Sequence, residues 1–483
     1  MNMTNAYPSI SGQFLINGEW VKGGKVTDVT NPADISEVVG QVALCTREEV
    51  NQAIDAAERA FPAWASTPVE KRAELVKAAS EKLAEVIEST VPLFVRENGK
   101  PLVEAKKDIM RCVEIMSKGA DALIEFWKTE TLPGGQMVQI RRRPRGVTAV
   151  ISPWNSPMIL TYKRVIPAVL AGNSVVVKPA TDCPLTVLET LKVVAAQLPP
   201  GVINIVTGSG ALVGDVVCND PRVRTIAFTG STETGKQIMK MSSGTVKKLY
   251  MELGGNDPAL ILEDAVLDDT AMQRIRMGIL RAAGQVCSAI KRVYVHESRY
   301  EEFLEKLTKE FQRMIVGNGI QPDAMMGPIN NKAQYDYVKG LIERTKQEGA
   351  HVETLGIKLD EESWDKGYFM LPSIATGVTQ DSELVRAEQF GPIIPVLKFS
   401  DLDEVVAMAN DTEFGLRASV WTADQEKAEG IADRLEAGAV FFNNHTIFQD
   451  LHYDFPGLKE SGLSRETEWC SIDLFADKYG FAN

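Results

Sequence analysis

The sequence predicts an α/β fold made of two successive units of parallel sheet with helical crossovers. Three observations carry this. Five short apolar runs, at 147–151, 174–177, 203–206, 225–228 and 248–253, alternate with helical stretches. That alternation is what a parallel sheet with crossover helices requires. It restarts after Asp257, with runs at 259–262, 292–296, 393–399, 419–421 and 439–442 and helical stretches at 299–314 and 331–349. Polar residues and glycines also collect where the first five runs end: Ser152-Pro153-Trp154-Asn155, Lys178-Pro179-Ala180-Thr181, Thr207-Gly208, Thr229-Gly230-Ser231 and Gly254-Gly255. Open parallel sheets bind ligands at those ends, which points to a nucleotide site.

Composition narrows the class. The chain has 483 residues, 44% hydrophobic and 24% charged, enough for roughly two or three domains with large cores. A net charge of −13 argues against nucleic acid or an anionic membrane as partner. The six cysteines, at 45, 112, 183, 218, 287 and 470, show no CxxC or regular spacing. They read as thiols in a reducing compartment rather than a disulfide framework or zinc module. Residues 1–20 lack a basic stretch followed by an apolar run, and no window approaches the ~18 apolar residues of a membrane span. The expectation is a cytoplasmic protein.

Taken in order, residues 14–20 read as a hairpin turning at Asn17-Gly18. Helical periodicity follows at 48–66, from Pro68 to Asn98, and at about 103–127, as a structural layer. Pro133-Gly134-Gly135 breaks that pattern. The alternating Val138-Gln139-Ile140-Arg141-Arg142-Arg143 then reads either as a basic strand needing a partner from another chain or as a solvated loop. After Phe228, the segment Thr229-Gly230-Ser231-Thr232-Glu233-Thr234-Gly235-Lys236 opens a helix. Ser231 caps it, and its free N–H groups suit a phosphate, although GxGxxG is absent. Cys287, in Gly284-Gln285-Val286-Cys287-Ser288, lies between a flexible approach and an apolar strand. There it reads as a nucleophile or as a small buried hydrophobe. The tail after Arg465 reads as irregular.

The motifs Ser152-Pro153-Trp154-Asn155, Lys178-Pro179-Ala180, Phe228-Thr229-Gly230-Ser231-Thr232-Glu233, Met251-Glu252-Leu253-Gly254-Gly255, Gly284-Gln285-Val286-Cys287, Glu388-Gln389-Phe390-Gly391-Pro392 and Lys459-Glu460-Ser461-Gly462 together matter more than any one. In their order and spacing the chain resembles the aldehyde dehydrogenase superfamily over nearly its whole length. The resemblance implies two Rossmann-type α/β domains plus a small β oligomerisation arm. The cofactor domain would take 1–122 and 146–254, the catalytic domain 255–465, and the arm 123–145 and 466–483. It also implies a homodimer or homotetramer.

The chemistry it implies is NAD- or NADP-dependent oxidation of a small-molecule aldehyde to the free acid. Cys287 would form a thiohemiacetal and then a thioester. Asn155 and the Cys287 N–H would hold the oxyanion, and Glu252 would be the base for hydrolysis. Relatives that form acyl-coenzyme A lack a glutamate at this position. The cofactor set would be Ser152, Trp154, Lys178, Thr181, Thr229, Gly230, Ser231, Glu388 and Phe390. NAD-preferring members often carry Glu where Thr181 stands. A carboxylate repels a 2′-phosphate and a threonine does not, so NADP use is expected, with NAD alone left open.

On the substrate side, Ser156 stands where many relatives have an aromatic residue, and Lys163 where several have Trp. A late loop over 441–455 would form the tunnel mouth, with His445, Phe448 and Phe455. The two phenylalanines favour an apolar or aromatic aldehyde, whereas Lys163 favours an acid group. His445, Asp450 and His452 fit no standard metal-ligand spacing, so no metal is expected.

Overall fold

A computed structural model describes residues 9–132, 138–445, 454–463, 465–467 and 471–482. The first sheet has seven strands. Its spatial order is Lys248–Glu252, Val223–Thr229, Val147–Ile151, Ser174–Lys178, Ile203–Ile205, Gln13–Ile16 and Glu19–Lys22. The first five are parallel. All five predicted runs are strands, and Ser174–Lys178 is buried along its whole length, as a parallel sheet covered on both faces demands. Gln13–Ile16 and Glu19–Lys22 form the predicted hairpin at the far edge. Asn17 at φ 53° and Gly18 at φ 83° supply its turn.

From Val147–Ile151 the chain moves outward to Ser174–Lys178 and Ile203–Ile205. It then returns to the other side through Val223–Thr229 and Lys248–Glu252. The order therefore reverses between Val147–Ile151 and Val223–Thr229, and a crevice opens beyond their carboxyl ends.

The helical layer is Arg47–Ser66, Val69–Glu85, Ile87–Asn98 and Leu102–Phe126. The sequence predicts one helix from Pro68 to Asn98, but it is broken at Val86 (φ −104°, ψ 3°). The β-branched pair Val86-Ile87 stands at the break, where side-chain crowding disfavours a continuous helix.

The second sheet runs His351–Thr354, Ser373–Thr376, Ile393–Phe399, Ile290–His296, Asp257–Ile261, Arg417–Trp421 and Ala439–Phe442. Only the edge strand His351–Thr354 is antiparallel. That strand and Ser373–Thr376 escape the sequence reading, as does the hairpin of Val26–Asn31 with Asp34–Ala43. His351–Thr354 and Ser373–Thr376 have four residues each, Val26–Asn31 is mostly polar, and Asp34–Ala43 mixes polar and apolar residues without strict alternation.

The arginine-rich segment departs from expectation. Val138–Pro144 is the middle strand of a three-stranded sheet, between Glu130–Leu132 and Ala476–Ala482 of the same chain. It needs no second chain for its own pairing, and the tail from Ala476 is a strand rather than irregular. The Arg141, Arg142 and Arg143 guanidinium groups lie over the rings of Phe481, Phe126 and Tyr479. A partner some 340 residues away leaves no local trace. Among the described residues, no helix is long and apolar enough to cross a membrane.

Candidate active site

Three chain segments converge at the crevice. The strand Val147–Ile151 ends in the loop carrying Asn155, and Pro157 opens the next helix from its first position. Asn98 Nδ2 donates to Trp154 O at 2.9 Å, and Asn155 Nδ2 donates to Gln285 O at 2.9 Å. Glu252 is the last residue of the first sheet's edge strand. Cys287 lies in the loop between helix Asp269–Leu280 and strand Ile290–His296.

That loop is strained. Ala282 (φ 50°), Ala283 (φ 57°) and Gly284 (φ 74°) are successively left-handed, at a cost of about 1–2 kcal/mol for each alanine. A Cβ on Gly284 would also lie 2.3 Å from Gly391 O, so only glycine fits. Gln285 pins the turn, donating to Ala282 O at 2.8 Å and accepting from Asn330 N at 2.9 Å.

Cys287 Sγ lies 3.9 Å from Glu252 Oε1. Glu252 Oε2 accepts from Arg164 Nη2 at 3.0 Å and Thr229 Oγ1 at 3.4 Å. A carboxylate this far from water needs such a partner. Arg164 is itself buried, and the sequence reading passed over it. Desolvation, reinforced by the Glu252 charge, pushes the Cys287 thiol up to about 12, while Lys291 and Arg417 act in the opposite sense. The resting group is therefore the thiol, and the nearby carboxylate is placed to receive its proton.

Two cavities meet at Cys287. The first, of about 220 Å³, is walled by Trp154, Thr229, Gly230, Ser231, Gly254, Glu388 and Phe390, with Asn155 and Leu160. Trp154 and Phe390 meet edge-to-face at 5.5 Å. Ser231 Oγ accepts from Thr234 N at 3.3 Å and so caps helix Thr232–Ser242. A Cβ on Gly254 would lie 2.7 Å from Glu388 Oε2. Flat aromatic walls, a helix N-terminus, bare backbone and a carboxylate acceptor together fit a dinucleotide.

Six of the nine expected cofactor residues line this cavity. Ser152, Lys178 and Thr181 stand outside its walls. Ser152 Oγ accepts from Thr161 at 2.7 Å, Lys178 Nζ donates to Pro179 O at 3.0 Å, and Thr181 Oγ1 donates to Gly208 O at 3.0 Å. Burial lowers Lys178 to about 8.

The second cavity, of about 410 Å³, holds Asn155, Ser156, Lys163, Glu252 and Cys287, as expected for a substrate site. Its other charged walls are Lys100, Glu104, Lys107, Asp108, Arg111, Arg281 and Arg417. All seven were missed, although the spacing of residues 100, 104, 107, 108 and 111 is a helical stripe readable from sequence.

His445 is not on this wall. It is fully buried, with Nδ1 hydrogen-bonded to Ser419 Oγ at 2.9 Å and Nε2 3.7 Å from Asp257 Oδ2. Phe448, Asp450 and His452 lie outside the described residues, as does the Phe455 side chain. Among the described residues, no group of three or more His, Cys, Asp or Glu could hold a metal.

The profile of the aldehyde dehydrogenase family matches residues 20–477. The alpha-ketoglutaric semialdehyde dehydrogenase of Bacillus subtilis (strain 168) is 35% identical over 472 residues, covering 95% of this chain and 96% of that protein. The succinate-semialdehyde dehydrogenase (NADP+) GabD of Escherichia coli (strain K12) is 36% identical over 471 residues, covering 96% of each. Among solved structures, the betaine aldehyde dehydrogenase of Staphylococcus aureus in complex with NAD+ superposes with a TM-score of 0.93. It is 30% identical, with 98% of this chain and 95% of that chain covered.

Proposed function

The chain belongs to the aldehyde dehydrogenase family and acts as an NAD(P)-dependent oxidoreductase on aldehydes, and from that premise we propose that its substrates are aldehydes bearing a carboxylate at the far end. One observation carries this reading. The cavity beside Cys287 has six cationic side chains against three carboxylates, in a chain whose net charge is −13. Lys163 and Arg417 are half-buried there, where a charge-assisted hydrogen bond to an anion contributes about 1.5–3 kcal/mol. Two of the relatives are named for semialdehydes of dicarboxylic acids, which supports the same choice.

Cys287 Sγ attacks the carbonyl carbon as its proton passes to Glu252, 3.9 Å away. The Asn155 amide has two N–H groups; one is held by Gln285 O, and the other donates to the developing oxyanion. A bound nicotinamide supplies the hydride acceptor. Once it has released the thiol proton to solvent, Glu252, steadied by Arg164, activates the water that releases the acid from the Cys287 thioester. Trp154, Gly230, Ser231, Glu388 and Phe390 hold the cofactor. Thr181 offers no carboxylate to repel a 2′-phosphate, so NADP serves as well as NAD. Residues 1–122 and 146–254 form the cofactor domain and 255–465 the catalytic domain. The arm, at 123–145 and 466–483, joins copies into a homo-oligomer.

The test is reduced-cofactor formation at 340 nm without coenzyme A, with NAD and with NADP. An acid-bearing semialdehyde is compared with a neutral aldehyde of equal length. The acid-bearing substrate is expected to have a kcat/KM about 10–100-fold higher. Preference for the neutral one would overturn the substrate class, and turnover only with coenzyme A would overturn Glu252 as hydrolytic base.

A further inference from the structure

Lys291 stands directly behind the nucleophile. It follows Ile290 at the start of strand Ile290–His296 and is almost fully buried, with 2% of its side chain exposed. Its neighbour Arg292 points to the other face of the strand and is taken up by Asn256 O at 2.8–2.9 Å and Ala409 O at 2.8 Å. Lys291 has different company. Nζ donates to Val286 O at 2.7 Å and to Cys287 O at 2.7 Å, and Glu388 Oε1 lies 3.8 Å away. The three donors of an ammonium are thus directed to two consecutive carbonyls of the nucleophile loop and to one carboxylate. A buried ammonium is costly unless so matched.

The grip has a geometric consequence. In a trans peptide the C=O and N–H point in opposite directions, and all peptides described here are trans. Drawing Val286 O onto the ammonium turns the Cys287 N–H to the opposite side of the chain. Drawing Cys287 O the same way does the same to the Ser288 N–H. Among the described residues, neither N–H donates to a protein acceptor. Gly255 closes the other side of the clamp: a Cβ there would lie 2.5 Å from Cys287 O.

We propose that Lys291 is a positioning residue that holds the Val286–Cys287 and Cys287–Ser288 peptides so that the Cys287 N–H is aimed at the substrate oxygen, beside the Asn155 amide. This rests on the reading of Cys287 as nucleophile. Lys291 never touches the aldehyde; it acts through the orientation of another residue's backbone. Its contact with Glu388 ties the same clamp to the cofactor cavity.

The test compares wild type with Lys291→Met, which keeps the stem and removes the donors. Alkylation of Cys287 by iodoacetamide needs a reachable thiolate but no oxyanion donor, whereas turnover needs both. Rates are measured across the accessible pH range, and the alkylation plateau, taken as the limiting rate of the fully ionised thiol from the fitted profile, is compared with kcat at its own pH optimum. The expected result is a plateau within about threefold of wild type and an unchanged cofactor KM, with kcat lowered about 100-fold or more. A kcat within threefold of wild type overturns the proposal. So does an alkylation plateau that falls in parallel with kcat, since that marks a misplaced thiol. If Lys291→Met does not fold, Lys291→Arg supplies the second arm. It keeps N–H donors and is expected to retain at least a tenth of kcat, and loss of activity with intact alkylation would overturn the clamp. Wild-type turnover and its abolition in Cys287→Ala are measured separately, so failure of the nucleophile assignment is distinguishable from failure of the clamp.

Discussion

At the scale of single residues, Glu252 has two opposed effects on Cys287. Its carboxylate can take the thiol proton, yet its negative charge is one cause of the raised thiol value of about 12. Glu252→Gln removes both. Without that charge the thiolate is less disfavoured, so the thiol value falls and the thiolate fraction at a given pH below it rises. Iodoacetamide alkylation of Cys287 is therefore expected to shift to lower pH in Glu252→Gln, while steady-state acid formation falls at least about 100-fold. A profile unmoved or shifted upward would show that the charge of Glu252 does not reach the sulfur. The sequence pointed to Cys287, Glu252 and Asn155, which the structure brings to one cavity, because the proposed reaction demands a thiol, a base and an amide, each inside a recognisable motif. Arg164 and Lys291 were not. Their proposed roles lie in what they touch, namely a carboxylate 88 positions away and two carbonyls of a loop whose turn is set by left-handed residues.

At the scale of elements, the edge strand Lys248–Glu252 pairs with Val223–Thr229 on one side, and segment 461–463 lies along its end on the other, beside Cys287. Leu253 N donates to Ser461 O at 2.8 Å, Leu463 N donates to Met251 O at 3.0 Å, and Glu252 and Gly462 form an isolated antiparallel bridge. A Cβ on Gly462 would lie 2.3 Å from Met251 O, backbone that cannot yield locally. Gly462→Ala is thus expected to displace the strand end, costing about 1–3 kcal/mol of stability and about tenfold or more in kcat. A thermal melt and a turnover assay check both; an unchanged kcat would mean that Glu252 does not depend on this contact. The long parallel strands were readable from their apolar runs. The register of segment 461–463 was not, because a Lys-Glu-Ser-Gly run carries no periodicity and its partner lies some 200 residues earlier. The same applies to Ala476–Ala482, whose mate Val138–Pro144 is basic and half-buried.

At the scale of the whole molecule, charge is distributed against the global trend. The chain carries −13, yet the walls of the substrate cavity are predominantly cationic. An anionic aldehyde is therefore repelled by the distant field and attracted by Lys163 and Arg417 once inside. These two effects respond differently to salt. The Debye length falls from about 30 Å at 0.01 M to about 8 Å at 0.15 M, so the distant repulsion is screened while contacts of a few ångströms are screened much less. Raising salt over that range is expected to increase kcat/KM for an acid-bearing aldehyde relative to a neutral one of equal length. In the double variant Lys163→Gln, Arg417→Gln the near attraction is removed. There, KM for the acid-bearing aldehyde is expected to rise about tenfold or more, with the neutral aldehyde moving less than about threefold. If the wild-type ratio instead falls with salt, the cavity cations govern the approach as well as the bound state, and the overall charge of the chain has no part in substrate capture.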